Sequence, residues 1–133
     1  MSNVVILCVD DEHIILMSLR EQLNRNFGDR YRYEVAESVA EAWEVIEELS
    51  MDGSRVLIIV SDWLMPEVRG DEFLVQVHKR FPGIVNIMLT GHADEVAIER
   101  ARQHGNLYAC LSKPWSEEHL IGTIRAGLEN EAG

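Results

Sequence analysis

Positive charge is scarce in this chain: 12 Lys and Arg stand against 23 Asp and Glu, for a formal net charge of −11 over 133 residues. A nucleic-acid or anionic-membrane surface needs a positive footprint, so neither is an expected partner. Cysteine is nearly absent. Cys8 and Cys110 fall in apolar runs without CxxC spacing, which argues against a disulfide framework or zinc site and for small buried thiols. No apolar run is long enough to cross a bilayer, and the start MSNVVILCVDD puts acids where a secretory leader needs a longer apolar core. The chain is therefore expected in the cytoplasm. Low-complexity linkers, internal repeats and a DxDxDG calcium loop are missing as well.

What is present is an ordinary globular composition, 47% hydrophobic and 26% charged, of a length that suits one domain over residues 1–133, with Glu129 to Gly133 as the start of a linker. Apolar runs at Val4 to Val9, Val56 to Val60, Ile84 to Leu89 and Leu107 to Leu111, with a more polar one at Tyr31 to Ala36, read as strands. Between them come helical stripes. Ile15, Leu16, Leu19 and Leu23 form the first, and Val39, Ala42, Trp43, Ile46 and Leu49 the second, opened by the Ser38-x-x-Glu41 cap signature. Phe73, Leu74, Val77 and Phe81 form the third, closed by Pro82-Gly83. Val96, Ala97, Ile98 and Ala101 mark the fourth, and Leu120, Ile121, Ile124 and Leu128 the fifth.

Strict alternation of strand and helix predicts right-handed crossovers and a doubly wound α/β fold, a five-stranded parallel sheet covered on both faces. Ligands bind such sheets beyond the carboxyl ends of the strands, where the winding reverses. If the order is 2-1-3-4-5, that point lies between strands 1 and 3, which end in Asp10-Asp11 and in Asp62. Strand 4 ends at Thr90 and strand 5 at Lys113-Pro114. Three short carboxylates on rigid strand ends repel one another unless a cation intervenes, and Mg²⁺, which takes a few carboxylate oxygens and keeps positions open, suits them better than Ca²⁺. With an ammonium and a hydroxyl added, the set can hold the equatorial oxygens of a transferring phosphoryl group, with Asp62 as nucleophile forming an aspartyl phosphate.

These residues resemble a known family. From about Val4 to Leu128 the chain is similar to the receiver domains of two-component response regulators: the acidic pair Asp10-Asp11, SDWLMPEVRG as the phosphoacceptor loop, MLTGH for the strand 4 threonine, and LSKPW for the Lys-Pro. Each motif is weak alone; four in order and spacing are specific. The resemblance implies the flavodoxin-like (CheY-like) fold with strand order 2-1-3-4-5 and five helices in three layers. It implies Asp62 as phosphoacceptor, Asp11 as direct Mg²⁺ ligand, Asp10 as an acid acting on the metal through water, and the Leu64 backbone carbonyl as a further ligand. Thr90 and Lys113 would bind the phosphoryl group and switch, and the Lys113-Pro114 bond is commonly cis in such domains.

The implied function is a phosphorylation-controlled signalling module that takes phosphate from a histidine kinase or phosphotransfer protein and reshapes a helix 4, strand 5, helix 5 surface for an effector or output domain. A phosphorylation-dependent homodimer is one form of that output. The chain is read as a regulatory domain that assists its own phosphorylation and dephosphorylation, not as an enzyme on external substrates. One departure from the family pattern is the switch aromatic, expected three residues before the lysine, where Cys110 stands. Tyr108 is the candidate substitute, since strand alternation puts it on the face of Cys110. Leu64 and His92 are candidates for tuning hydrolysis, although a solvated surface histidine is the commoner role for His92.

Blander readings exist for each residue alone. A lone strand-end Asp is usually a turn residue, Thr90 is a fair helix cap, and Lys113 a solvated charge. Trp43, Trp63 and Trp115 read as packing residues, and His13, His78, His104 and His119 as surface or helix-end residues. A pseudo-receiver, a protein-binding or dimerisation module without phosphorylation, is the alternative function. An aspartyl-nucleophile phosphatase wants a second acid two residues after the nucleophile, where this chain has Leu64.

Overall fold

The computed structural model describes residues 3–91 and 95–132. Five strands, β1 (Val4–Val9), β2 (Arg32–Ala36), β3 (Arg55–Asp62), β4 (Val85–Thr90) and β5 (Leu107–Ser112), alternate with α1 (His13–Phe27), α2 (Val39–Met51), α3 (Gly70–Arg80), α4 (Glu95–His104) and α5 (Glu117–Ala132). Every strand pair is parallel, in the order β2-β1-β3-β4-β5, as the alternation and the flavodoxin-like resemblance imply. Of residues 129–133, expected to start a linker, 129–132 lie in α5 and 133 is outside the described residues.

The sheet separates two apolar layers. One face carries Ile6, Cys8, Ile58, Val60, Ile87, Leu89 and Leu111 against α1 and α5, through Leu16, Leu19, Leu23, Leu120 and Ile124. The other carries Val5, Leu7, Val9, Ile59 and Met88 against α2 and α3, through Ala42, Ile46, Phe73, Leu74 and Val77. Burial on both faces is why the central strands are continuous apolar runs rather than alternating ones. Ser38 caps α2 as expected, its side chain accepting from the Glu41 N–H at 3.1 Å. Among the stripe positions Val96 is exposed, and Ile15, Trp43, Phe81 and Ile98 are half-buried, Trp43 edge-on to Phe73.

Two bulges interrupt the alternation. Between β1 and β3 the register steps from Val5↔Val56 to Ile6↔Ile58, and both Leu57 and Ile58 face α1 and α5. Between β4 and β5 it steps from Asn86↔Leu107 to Ile87↔Ala109, so Tyr108 is the extra residue. This corrects the expected placement of Tyr108. Cys110 pairs with Met88 and packs on the α2/α3 layer, whereas an added Cβ on Gly127 of α5 would meet the Tyr108 ring at 3.7 Å. Tyr108 therefore lies across the sheet from Cys110 rather than on its face.

Asn86 is a polar residue inside an apolar strand, fully buried. Its Nδ2 donates to the Leu74 carbonyl at 3.3 Å and the Gly105 carbonyl at 2.7 Å, tying β4 to α3 and to the end of α4. At that junction a Cβ on Gly105 would come within 2.9 Å of the Ala101 oxygen, so the backbones meet there only because Gly105 has no side chain.

Candidate functional site

Parallel register brings the carboxyl ends of β1, β3, β4 and β5 to one edge. Val9 pairs with Ser61, Asp62 with Leu89 and Thr90 with Ser112. The ladder continues past the strands through Asp10 N–H to the Ala36 carbonyl (3.1 Å), Trp63 N–H to that of Leu89 (2.9 Å) and Lys113 N–H to that of Thr90 (2.8 Å). Each side chain thus leaves a rigid strand end, not a free loop.

The Lys113 ammonium sits between two carboxylates, 2.8 Å from Asp10 Oδ2 and 3.1 Å from Asp62 Oδ1. Asp10 is fully buried, and its other oxygen accepts from the Glu12 N–H at 2.9 Å. Asp62 is 6% exposed. Burial and then the Asp10 charge push the Asp62 carboxyl above its usual range, while Lys113 pulls it back. Burial acts to lower the Lys113 pKa, but the hydrogen bonds to Asp10 and Asp62 outweigh it and leave the ammonium more basic than usual. The Lys113-Pro114 peptide is cis.

Asp11 is exposed beside them, and one oxygen from each of Asp10, Asp11 and Asp62 lies within 4.8 Å of the others. An all-oxygen set with an exposed, solvent-facing member fits a hard divalent cation such as Mg²⁺ and offers nothing to a soft metal. Thr90 is 7% exposed at the end of β4. Leu64 stands 63% exposed on the loop after β3. His92 lies outside the described residues.

The loop after β3 is drawn tight. Gly70 N–H donates to the Trp63 carbonyl at 2.7 Å, and a Cβ at Gly70 would fall 2.0 Å from the Asp62 carbonyl oxygen. Glu67 takes the turn at φ 70°. Asp71, the residue after Gly70, is completely buried with Arg69 Nε 3.2 Å from its Oδ1. Its signal in the sequence was position: three residues before Leu74, it falls on the apolar stripe of α3. Trp63 is half-buried against the α2/α3 layer, and Trp115 donates its indole N–H to Gln22 Oε1 at 2.8 Å. His78 is half-buried in the last turn of α3, and His13, His104 and His119 are exposed, as surface or helix-end residues are expected to be. Cys8 is buried and Cys110 half-buried, in strands that are not neighbours.

A family model for the response regulator receiver domain matches residues 6–125. The hydrogenase transcriptional regulatory protein HoxA of Cupriavidus necator is 32% identical over 127 residues, which are 96% of this chain but 24% of HoxA, so the chain spans about a quarter of that relative's length. Among solved structures, the signal receiver domain of an HD domain-containing protein from Pseudomonas fluorescens Pf-5 superposes with a TM-score of 0.85 at 28% identity, covering 96% of each chain. The beryllofluoride-activated NtrC4 receiver domain dimer gives a TM-score of 0.81 at 31% identity, over 96% of this chain and 98% of that one. With the sheet order and motif order in agreement, this chain belongs to the receiver domain family of two-component response regulators.

Proposed function

We propose that this receiver domain accepts a phosphoryl group on Asp62 from a histidine kinase or phosphotransfer protein, and releases it by assisted hydrolysis. The observation that carries the reading is the Lys113 ammonium bridging Asp10 and Asp62, with Asp11 alongside. A structural salt bridge needs one acid; a lysine shared by two members of a three-acid cluster leaves excess negative charge, which a divalent cation would offset so that the ammonium can turn to a phosphoryl group. An oxygen of Asp62 attacks phosphorus, the bond from phosphorus to the donor nitrogen breaks, and its electron pair leaves with the donor. Lys113 then pairs with the new phosphoryl oxygens while Thr90 offers its hydroxyl.

Asp11 and Asp62, with the Leu64 backbone carbonyl, would hold Mg²⁺ directly, and Asp10, whose oxygens are already engaged, would act on it through water. The bound ion supplies neutralisation of charge between acids and phosphate. The exposed apolar Leu64 side chain would border the approach of water to the phosphoryl group and slow its loss. Phosphorylation would draw Thr90 and the segment leading to α4 inward and bias the α4, β5 and α5 surface toward an effector, an output domain or a second receiver. The site of action is the cytoplasm, in keeping with the absence, among the described residues, of any helix long and apolar enough to cross a membrane. Beryllofluoride with Mg²⁺ tests this reading against a pseudo-receiver: tight binding with amide shifts at Thr90 and α4, abolished in Asp62→Ala, supports it. No binding to the wild type overturns it.

A further inference from the structure

Lys113 has a long, flexible side chain, so its place between Asp10 and Asp62 depends on what holds its backbone. On one side its N–H is fixed to the Thr90 carbonyl at 2.8 Å. On the other, two residues on, the half-buried Trp115 packs on the α1/α5 layer and donates its indole N–H to Gln22 Oε1 at 2.8 Å. Gln22 is itself oriented, its Nε2 donating to Ser18 Oγ at 3.3 Å one turn earlier on α1. The same helix starts directly after Asp10-Asp11-Glu12. A single rigid helix thus carries the acid pair at its head and the anchor of the Lys113 segment in its second half.

We propose that the Trp115–Gln22 hydrogen bond is a positioning device that sets Lys113 against the acceptor oxygen, with α1 as the common frame. Neither residue touches the reacting atoms. Glu117 adds a second link, accepting from Arg25 at 2.6 and 3.1 Å and from Asn26 at 2.9 Å. That pair is largely solvent-exposed, where ion pairs contribute little, so the half-buried indole bond does most of the holding. Losing the anchor frees Lys113 to drift, which weakens the phosphoryl pocket while removing a cation that competes with Mg²⁺ for the same acids. Rate and metal affinity are therefore expected to respond differently.

The inference rests on the phosphoacceptor reading above, and the test separates the two. Phosphorylation by a small acyl phosphate is timed across a Mg²⁺ series for wild type, Trp115→Phe, Gln22→Met, Lys113→Ala and the Trp115→Phe/Lys113→Ala double variant. Trp115→Phe and Gln22→Met should each slow the reaction at saturating Mg²⁺ by roughly three- to tenfold, as misplacement of a positioned group does, with half-saturating Mg²⁺ unchanged or lower. In the Lys113→Ala background Trp115→Phe should change nothing further, because it acts through the lysine. A parallel loss of rate and Mg²⁺ affinity, wild-type rates in both single variants, or an undiminished Trp115→Phe effect without Lys113 overturns the positioning role and leaves the phosphoacceptor reading intact. Failure of the wild type to be modified overturns both.

Discussion

Gly70→Ala tests how closely the acceptor loop is packed. The added Cβ would lie 2.0 Å from the Asp62 carbonyl oxygen, 2.9 Å from its carbon and 3.0 Å from the Trp63 Cα. All three atoms are backbone, so no side chain can rotate away. Restoring even a 3.0 Å contact to the oxygen needs a shift of about 1 Å, and the Gly70 N–H to Trp63 carbonyl bond of 2.7 Å holds the same peptides together. Overpacking costs about 1–3 kcal/mol and the strained or broken buried hydrogen bond about 1–3 more, so a loss of about 2–6 kcal/mol is expected. For a domain of this size that corresponds to roughly 7–20 °C in Tm. Urea unfolding followed by far-UV circular dichroism reads the free energy, and phosphorylation well below Tm reads the site, which should be impaired even where the fold survives because the displaced peptide carries Asp62. A Gly70→Ala protein within about 1 kcal/mol of wild type and normally phosphorylated would refute the close approach.

Three further outcomes follow from buried groups. A carboxyl whose folded pKa is raised binds its proton more tightly folded than unfolded, so ionised Asp62 destabilises the fold at neutral pH and stops doing so as pH falls below its ordinary value of 3.8. Asp62→Asn should therefore have the higher urea midpoint at pH 7 in chelator, an advantage that shrinks toward pH 4 and on adding Mg²⁺; equal midpoints at pH 7 would count against the repulsion. Cys8 is 1% exposed, and burial with the nearby Asp10 charge pushes its thiol up to about 12, so a thiol reagent at pH 8 should label half-buried Cys110 first and reach Cys8 only on unfolding. Asn86→Leu leaves the Leu74 and Gly105 carbonyls without their amide donor, which should cost about 1–3 kcal/mol and speed hydrogen exchange at the end of α4; unchanged exchange there would mean the amide is not holding α4.

The strands that carry the site were legible because burial on both faces writes itself as an unbroken apolar run, and each run stops at a polar residue: Val9 at Asp10, Val60 at Ser61-Asp62, Leu89 at Thr90. Which of those residues meet was not written locally. It followed from the winding rule for parallel sheets, and the contact of Lys113 with Asp10, 103 positions apart, is its consequence. Tyr108 shows where period-two reasoning stops, since one extra residue against Asn86–Ile87 moves it to the opposite face and leaves no local trace. Asn86 and Asp71 are polar residues on apolar stripes; the Gly105 carbonyl that Asn86 meets depends on how α4 docks, whereas Arg69 pairs with Asp71 from two residues away at the start of the same helix. The Trp115–Gln22 bond is likewise invisible in sequence: it joins the segment before α5 to the second half of α1, 93 positions apart.

Intact-protein mass spectrometry after incubation with Mg²⁺ and a small acyl phosphate tests the central claim most directly. Wild type should gain the mass of one phosphoryl group, labile to hydroxylamine as an acyl phosphate is. The gain should disappear in Asp62→Asn and when chelator replaces Mg²⁺. A wild-type mass that never changes, or a gain that persists in Asp62→Asn, would contradict the assignment of Asp62 as the acceptor.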